Sequence, residues 1–129
     1  MPSTQKPIWH RISFILLVGF YLFAGFNHFR DPEFYYPLIP SYLGYAYEIN
    51  ILAGIIEMAL GLGLLYPKTR KLAAIGIILM LLAFLPSHIY FIELGGCISD
   101  GLCVHAWVAW VRLIVIHPLL MLWAWGHRK

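Results

Sequence analysis

The chain has 129 residues, of which 61% are hydrophobic, 16% aromatic and only 12% charged, and its formal net charge is +3. A soluble domain needs more charge to cover its surface, since roughly a quarter of the residues in such domains are charged. The composition therefore excludes an ordinary soluble protein, and the length allows one domain. The basic residues form no patch on a soluble face, so the expected partner is a lipid bilayer and not a nucleic acid.

Four hydrophobic segments follow one another along the chain, at about residues 12–29, 49–66, 72–92 and 104–125. Each is long enough to cross a hydrocarbon core of roughly 30 Å, at about 1.5 Å per residue. Short loops between such segments favour antiparallel neighbours. The predicted fold class is all-α: an integral membrane up-and-down four-helix bundle that uses the whole chain as one domain.

Lysine and arginine residues collect on one side of these segments. That side, with both ends of the chain and the loop between segments 2 and 3, holds Lys6, Arg11, Lys68, Arg70, Lys71, Arg128 and Lys129. The two loops on the other side hold one arginine and five acids: Arg30, Asp31, Glu33, Glu48, Glu93 and Asp100. An excess of Lys and Arg marks the cytoplasmic side, so both termini are expected inside, in a bacterial cytoplasmic (inner) membrane.

The two outer loops differ in character. The first is rich in tyrosine and contains Pro32, Pro37 and Pro40, which prevent it from continuing as a helix. We expect it to lie along the outer surface as a cap. The second contains Cys97 and Cys103 in the stretch GCISDGLC, which predicts a disulfide if this side is oxidising. A reactive pair that exchanges with a partner is the alternative, although the spacing is not the C-x-x-C of dithiol oxidoreductases.

Polar and small residues form one stripe on each predicted helix, at spacings of three and four. In chain order the stripes are Tyr21, Gly25 and His28; Asn50, Gly54, Glu57 and Gly61; Gly76, Met80, Ala83 and Ser87, with His88 beside them; and His105, Ala109 and Arg112. Small residues let membrane helices approach closely. The stripes are therefore expected to face the interior of the bundle.

The ionisable members of these stripes predict an internal polar site. Glu57 and Arg112 both lie about 12–13 Å from a helix end by the helix rise, so they are expected to pair near the midplane. His28 and His88 fall in the outer half of their segments. The four side chains are expected to converge on a pocket that opens outward, and Tyr21, Asn27 and Asn50 complete the predicted site.

Each of these residues also has a purely structural interpretation. Glu57 and Arg112 could only fix the helix register, and His28 could only reach water near the interface. His88 follows Pro86 and could bond a carbonyl group that the proline leaves free. His117 lies about 140° round the helix from Arg112, so we assign it to helix packing or to a polar contact on the inner side.

Several motifs resemble the DoxX-like family of small four-helix membrane proteins. They are AGFNHF, P-E-F-Y, P-x-Y-L, GIIEMALGLGLLYPKTRKLAA and FLPSHIY, and the resemblance extends from about residue 19 to residue 125. The most specific parts are His28-Phe29, Glu57, the P-K-T-R-K-L-A-A turn and Arg112-Leu113. The resemblance implies links to thiosulfate:quinone oxidoreduction in archaea, to oxidative-stress and thiol systems, to methylamine-utilisation maturation or to acetylcholine-receptor assembly in animals.

Two positions depart from the usual pattern of that family. Residues 86–88 read Pro-Ser-His where similar proteins have Pro-Ala-Asn, and His117 stands where they have Gln. Both changes add an imidazole, which favours proton transfer or metal contact at this site.

The sequence leaves three functions open. The first is an accessory, assembly or partner-binding subunit, with a membrane or redox protein partner or a homo-oligomer. The second is a redox component in which a quinone docks among the helices and exchanges protons through His28, Glu57 and His88. The third is a protein that binds or transports a small lipophilic or weakly acidic molecule. No catalytic motif and no metal site are predicted, quinone is the candidate cofactor, and bis-histidine haem at His28 and His88 is the least favoured reading.

Overall fold

The computed structural model describes residues 5–129, and within this range 80% of the chain is helical and no β-strand forms. Four helical stretches are long and apolar enough to cross a membrane, and we number them spans 1 to 4: Ile8–Arg30, Ala46–Leu65, Pro67–Glu93 and Ala106–Gly126. An all-α chain with four candidate membrane spans is therefore confirmed.

Two of the spans are single helices and two are interrupted. Span 1 is α1 (Ile8–Arg30), and span 2 is α3 (Ala46–Leu65). The loop between them holds α2 (Pro32–Tyr35) and two 3₁₀ turns, Tyr36–Leu38 and Ser41–Leu43. Span 3 consists of α4 (Pro67–Ala83) and α5 (Leu85–Glu93), and span 4 of α6 (Ala106–Val111), a π-helical segment (Arg112–Ile116) and α7 (His117–Gly126).

Prolines determine where span 3 begins and where it breaks. Pro67 occupies the start of α4, a position that suits its fixed φ and missing N–H, so the span begins five residues before the predicted segment 72–92. Inside the span, Pro86 has no N–H to donate to the carbonyl group of Leu82. The helix is interrupted at Phe84 and resumes as α5.

Span 4 contains a π-helical segment directly before its proline. The N–H of His117 donates to the carbonyl oxygen of Arg112, five residues back, and Pro118 follows. Single π-turns of this kind insert one extra residue into a helix, and they are frequent at functional sites. The segment changes which residues of span 4 share a face.

Spans 1 and 2 form the tightest helix pair through two glycines. A methyl group built on Gly25 would lie 2.8 Å from the carbonyl oxygen of Gly54, and one built on Gly54 would lie 3.0 Å from that of Gly25. The two backbones therefore touch, as small residues allow in membrane helices. Spans 3 and 4 pack beside this pair, around a core that includes Leu17, Tyr21, Leu64, Ile77 and Leu81.

Most large apolar side chains point outward. Among them are Ile15 on span 1, Leu52 on span 2, Leu79 on span 3 and Trp107 on span 4, each more than half exposed. Such an apolar exterior would aggregate in water but matches the hydrocarbon of a bilayer.

The loops after span 1 and after span 3 contain short helical turns and a disulfide, respectively. The 3₁₀ turn Tyr36–Leu38 packs against α5. After α5, Gly95 and Gly96 adopt positive φ values of 81° and 78°, which a glycine tolerates without strain, and they turn the chain. A disulfide then joins Cys97 to Cys103 and closes the following loop.

Candidate functional site

A cavity of about 830 Å³ lies among the four spans, and the loop after span 1 forms part of its wall. Six of the predicted site residues line it: Tyr21, His28, Asn50, Glu57, His88 and Arg112. The rest of the lining is mostly apolar and aromatic. Ligand sites in proteins commonly have this size and combination.

His28 and Asn50 hold spans 1 and 2 together at the cavity wall. The Nδ1 atom of His28 lies 2.6 Å from Oδ1 of Asn50, and the Nδ2 group of Asn50 donates to the backbone carbonyl oxygen of His28 at 2.9 Å. Because the amide nitrogen of Asn50 is already committed as a donor, its oxygen must accept from Nδ1–H of His28. The tautomer and orientation of the imidazole are thereby fixed.

Glu57 pairs with His28 and not with Arg112. Oε2 of Glu57 lies 3.3 Å from Nε2 of His28, which is an ion-pair distance, but the two groups are not aligned as a hydrogen bond. The predicted Glu57–Arg112 pair is wrong. Depth along a helix does not identify lateral neighbours, and the close contact of Gly25 with Gly54 places His28 beside Glu57.

The His28–Glu57 pair is arranged to hold one proton between its two side chains. Nδ1 of His28 already carries a hydrogen, so a deprotonated Nε2 would direct a lone pair at the carboxylate. That contact is repulsive unless a proton sits on Nε2 or on the carboxyl group. With one such proton the pair has no net charge, whether it is an imidazolium beside a carboxylate or a neutral imidazole beside a carboxylic acid. A neutral pair costs less to bury than a lone charge.

Arg112 has no such partner. Its guanidinium carbon lies 5.2 Å from the ring centre of Phe91, a cation–π contact. Its Nη1 atom is buried without a hydrogen-bond partner, and within residues 5–129 no carboxylate forms an ion pair with it. The positive charge at this cavity wall is therefore not neutralised by the protein.

Three buried polar atoms without a hydrogen-bond partner line this one cavity. They are the hydroxyl oxygen of Tyr21, Oε2 of Glu57 and Nη1 of Arg112. Buried polar groups in proteins nearly always have partners, so a concentration of unpartnered ones indicates where another molecule is accommodated. Because Oε2 of Glu57 already faces Nε2 of His28, the groups left for a ligand are the guanidinium group of Arg112 and the hydroxyl group of Tyr21.

His117 makes a polar contact between the spans and also lines the cavity, and its place in the lining was not predicted. Its Nε2 atom donates to the backbone carbonyl oxygen of Leu81, and its ring lies edge-on to that of His88, with centroids 4.7 Å apart. The structural interpretation of His88, a bond to the carbonyl group that Pro86 leaves free, is not realised, because within residues 5–129 its side chain forms no hydrogen bond. His117 instead bonds the carbonyl group of Leu81, one residue before the one that Pro86 leaves free. The π-helical segment explains the difference, because the bond from His117 to Arg112 brings both residues toward one side of span 4.

Asn27 lies outside the cavity lining and positions a residue of the loop. Its Nδ2 group donates to the hydroxyl oxygen of Tyr35 at 2.9 Å. The ring of Tyr35 stacks on that of His28 with centroids 3.8 Å apart, and burial raises the pKa of Tyr35, so its hydroxyl group stays protonated. Asn27 therefore positions a residue of the cavity wall, and the binding role predicted for it stays a prediction.

One predicted stripe position does not face inward. His105 is exposed and lies outside the cavity lining, whereas Ala83 lines the cavity and the stripe of span 2 is buried at Asn50, Gly54 and Glu57. Tyr35 and Phe91 also line the cavity and were not predicted as parts of the site. For His117, the unusual histidine at this position was the one available signal, but a regular helix would place it away from Arg112.

Residues 17–128 of the sequence match the family described as Domain of unknown function (DUF8561). The chain belongs to this family. The matched range contains every residue that lines the large cavity. No curated protein and no solved structure matches the chain.

Proposed function

We propose that this member of the DUF8561 family binds a small lipophilic molecule with an anionic or weakly acidic head group in the large cavity. The observation that carries this proposal is the uncompensated guanidinium group of Arg112 at the wall of an otherwise mostly apolar cavity. A charge inside a membrane protein costs several kcal/mol unless it is paired. An anionic head group would supply the missing partner.

The remaining polar groups support the same ligand class. Glu57 is already matched by His28, so the net charge of the lining is positive. The hydroxyl group of Tyr21, which has no partner, can donate to the same head group. The apolar walls would accept the hydrophobic part of the molecule, and a volume of 830 Å³ is ample for both.

A second candidate is the quinone-linked redox role. The observation that favours it is the 3.3 Å contact between Nε2 of His28 and Oε2 of Glu57 at the cavity wall, because quinone reduction consumes protons and these two groups can donate them. Arg112 would then donate to a quinone carbonyl oxygen, and the electrons would come from a partner protein. The accessory or partner-binding role stays a prediction, as does the resemblance to the DoxX-like family.

The experiment measures the thermal unfolding of the purified protein with three lipophilic probes: decanoate, decanol and a short-chain quinone. We expect decanoate to raise the melting temperature and decanol to have little effect, because only the carboxylate pairs with Arg112. Arg112→Gln should remove the response to decanoate. Arg30→Gln is the matched control, since Arg30 is exposed and lies outside the cavity.

Mass spectrometry and absorbance of a preparation in native lipids complete the test. A co-purifying lipophilic acid that is lost in Arg112→Gln supports the main proposal. A co-purifying quinone that is lost in His28→Ala would favour the redox candidate instead. An equal response to decanoate and decanol, unchanged in Arg112→Gln, would contradict the proposal.

We also propose the finer points of architecture: an up-and-down four-helix arrangement with both termini in the cytoplasm of a bacterial inner membrane. The excess of lysine and arginine at one end of the spans supports this orientation.

A further inference from the structure

A second cavity, of about 330 Å³, lies at the start of span 1, the opposite end of that helix from His28. We call it the basic pocket, and its lining consists of Lys6, His10, Arg11, Phe14, Ile15, Arg70 and Lys129. Three separate parts of the chain contribute to it, namely the start of span 1, the start of span 3 and the segment after span 4. The pocket therefore exists only in the folded protein.

The charged side chains that line this pocket are all basic. Four lysine and arginine residues line it, and none of the acidic residues belongs to the lining. Within residues 5–129, the side chain of Arg11 forms no hydrogen bond and no ion pair. An anion entering the pocket would therefore meet positive charge with no competing carboxylate side chain.

Two of the cations are held in place by the protein. Nε of Arg70 donates to the carbonyl oxygen of Leu64 at 2.8 Å, and its guanidinium carbon lies 4.7 Å from the ring centre of Phe14. Nζ of Lys6 donates to the carbonyl oxygen of Lys129 at 2.9 Å. These contacts order the wall before any ligand arrives, which reduces the entropy lost on binding.

An exposed apolar surface adjoins the pocket. Ile8, Trp9 and Ile15 are 61%, 76% and 66% exposed, and Ile15 also belongs to the pocket lining. A free phosphate ion would use only the charged part of this surface. A molecule with a negative head group and hydrocarbon chains would use both parts, with its chains alongside the exterior of span 1.

We infer that the basic pocket binds the phosphate head group of an anionic phospholipid. Basic pockets between membrane helices are suited to such head groups, and each lysine or arginine near the membrane surface adds to the attraction. Six of the seven lining residues lie outside the range 17–128 that matches the family. The lipid site is thus a property of this chain that family membership does not imply, and it is independent of the ligand proposed for the large cavity.

The test measures binding to nanodiscs and to single lipids. Native mass spectrometry of the whole protein, transferred from nanodiscs of phosphatidylglycerol and phosphatidylcholine, should show one retained phosphatidylglycerol per chain. In detergent, phosphatidylglycerol should raise the melting temperature, and phosphatidylcholine or inorganic phosphate at the same concentration should not. Both measurements use the unaltered protein.

A pair of double variants separates the pocket from the general charge of this face. Lys6→Gln/Arg11→Gln should weaken phosphatidylglycerol binding roughly tenfold or more, because both lost cations line the pocket. Lys68→Gln/Lys71→Gln is the matched control, since it removes two exposed cations of the same face that lie outside the pocket. It should leave binding within about twofold of the parent.

Three results would overturn the inference. Equal retention of phosphatidylglycerol and phosphatidylcholine would show that there is no anion site. Equal losses in the two double variants would assign the effect to diffuse surface charge. A stabilisation by inorganic phosphate as large as that by phosphatidylglycerol would show that the lipid chains contribute nothing.

Discussion

Three neighbouring side chains fix the orientation of the imidazole ring of His28. Asn50 accepts from Nδ1, Glu57 faces Nε2, and Tyr35 stacks on the ring. None of these contacts follows from the position of His28 near the end of a hydrophobic segment. The histidine is buried at the wall of a cavity beside Glu57 and does not simply reach water at the interface.

A double-mutant cycle tests the pairing of Glu57. We expect His28→Ala and Glu57→Ala each to lower the free energy of unfolding by about 3–5 kcal/mol, because each leaves the other partner of a buried pair uncompensated. The double variant should lose less than the sum, by about 1–3 kcal/mol. The measurement is reversible unfolding in mixed micelles. A larger coupling for Glu57→Ala with Arg112→Ala than with His28→Ala would contradict the assigned pair.

The pH dependence of stability provides a second test at the level of a residue, at His127. This ring is buried, lies against His10 and is bonded through Nε2 to Ser13 Oγ at 2.9 Å. Burial lowers its pKa, and the positive charges of His10, Lys6 and Arg70 lower it further. The unfolded chain binds this proton near pH 6.5 and the folded protein only at lower pH, so unfolding takes up a proton between the two values.

We therefore expect the contribution of His127 to stability to be complete above about pH 6.5 and to be lost as the pH falls below it. For one proton, the free energy of unfolding changes by at most about 1.4 kcal/mol per pH unit. His127→Gln should flatten the curve of unfolding free energy against pH below about pH 6.5. An unchanged slope in this variant would show that another group is responsible.

At the level of the helices, two local features place the site. Gly25 and Gly54 allow spans 1 and 2 to touch, which sets His28 beside Glu57. The π-helical segment before Pro118 turns Arg112 and His117 toward the same cavity, and His117 then bonds span 3 at Leu81. The geometry of the cavity depends on the packing of helices as much as on the polar residues.

Substitution of the contact glycines tests this packing. Gly25→Ala should destabilise the protein by about 1–3 kcal/mol, because the new methyl group would lie 2.8 Å from both the Gly54 carbonyl oxygen and the Met58 amide nitrogen. Gly19→Ala is the matched control in the same helix. Its methyl group would meet nothing within 4 Å, so stability should stay unchanged or rise by up to about 1 kcal/mol. Equal melting temperatures for the two variants would contradict the close contact.

At the level of the whole molecule, charge and apolar surface point to one orientation in a membrane. The basic residues cluster at the end where Lys6 meets Lys129, and the disulfide loop follows span 3. With the basic end in the cytoplasm, Cys97 and Cys103 would face the oxidising side, where a disulfide persists.

Labelling of intact cells tests this orientation. We expect Cys97 and Cys103 to react with a membrane-impermeant maleimide only after reduction, and a reporter domain fused after Lys129 to be active only as a cytoplasmic protein. The double variant Cys97→Ser/Cys103→Ser is the control without thiols. Free cysteines that react only after the cells are opened would mean the opposite orientation.

Several parts of the site could be predicted from the sequence. The buried stripe of span 2, with Asn50, Gly54 and Glu57, follows from helical periodicity in a regular helix. The corresponding prediction failed at His105, which is exposed, because span 4 begins only after this residue. Periodicity is reliable while the helix is regular, and proline or a π-turn resets it.

The amino-acid sequence by itself determined that the chain is helical and suited to a membrane, because long apolar runs with little charge have few other stable structures. It also indicated that His28, Glu57, His88 and Arg112 face inward, since charged groups are costly in lipid. Only the tertiary structure decided that Glu57 pairs with His28, that Arg112 is left unpaired and that His117 joins the cavity. Lateral neighbours depend on how closely two helices approach and on one extra residue in a helical turn, and the spacing of polar residues predicts neither.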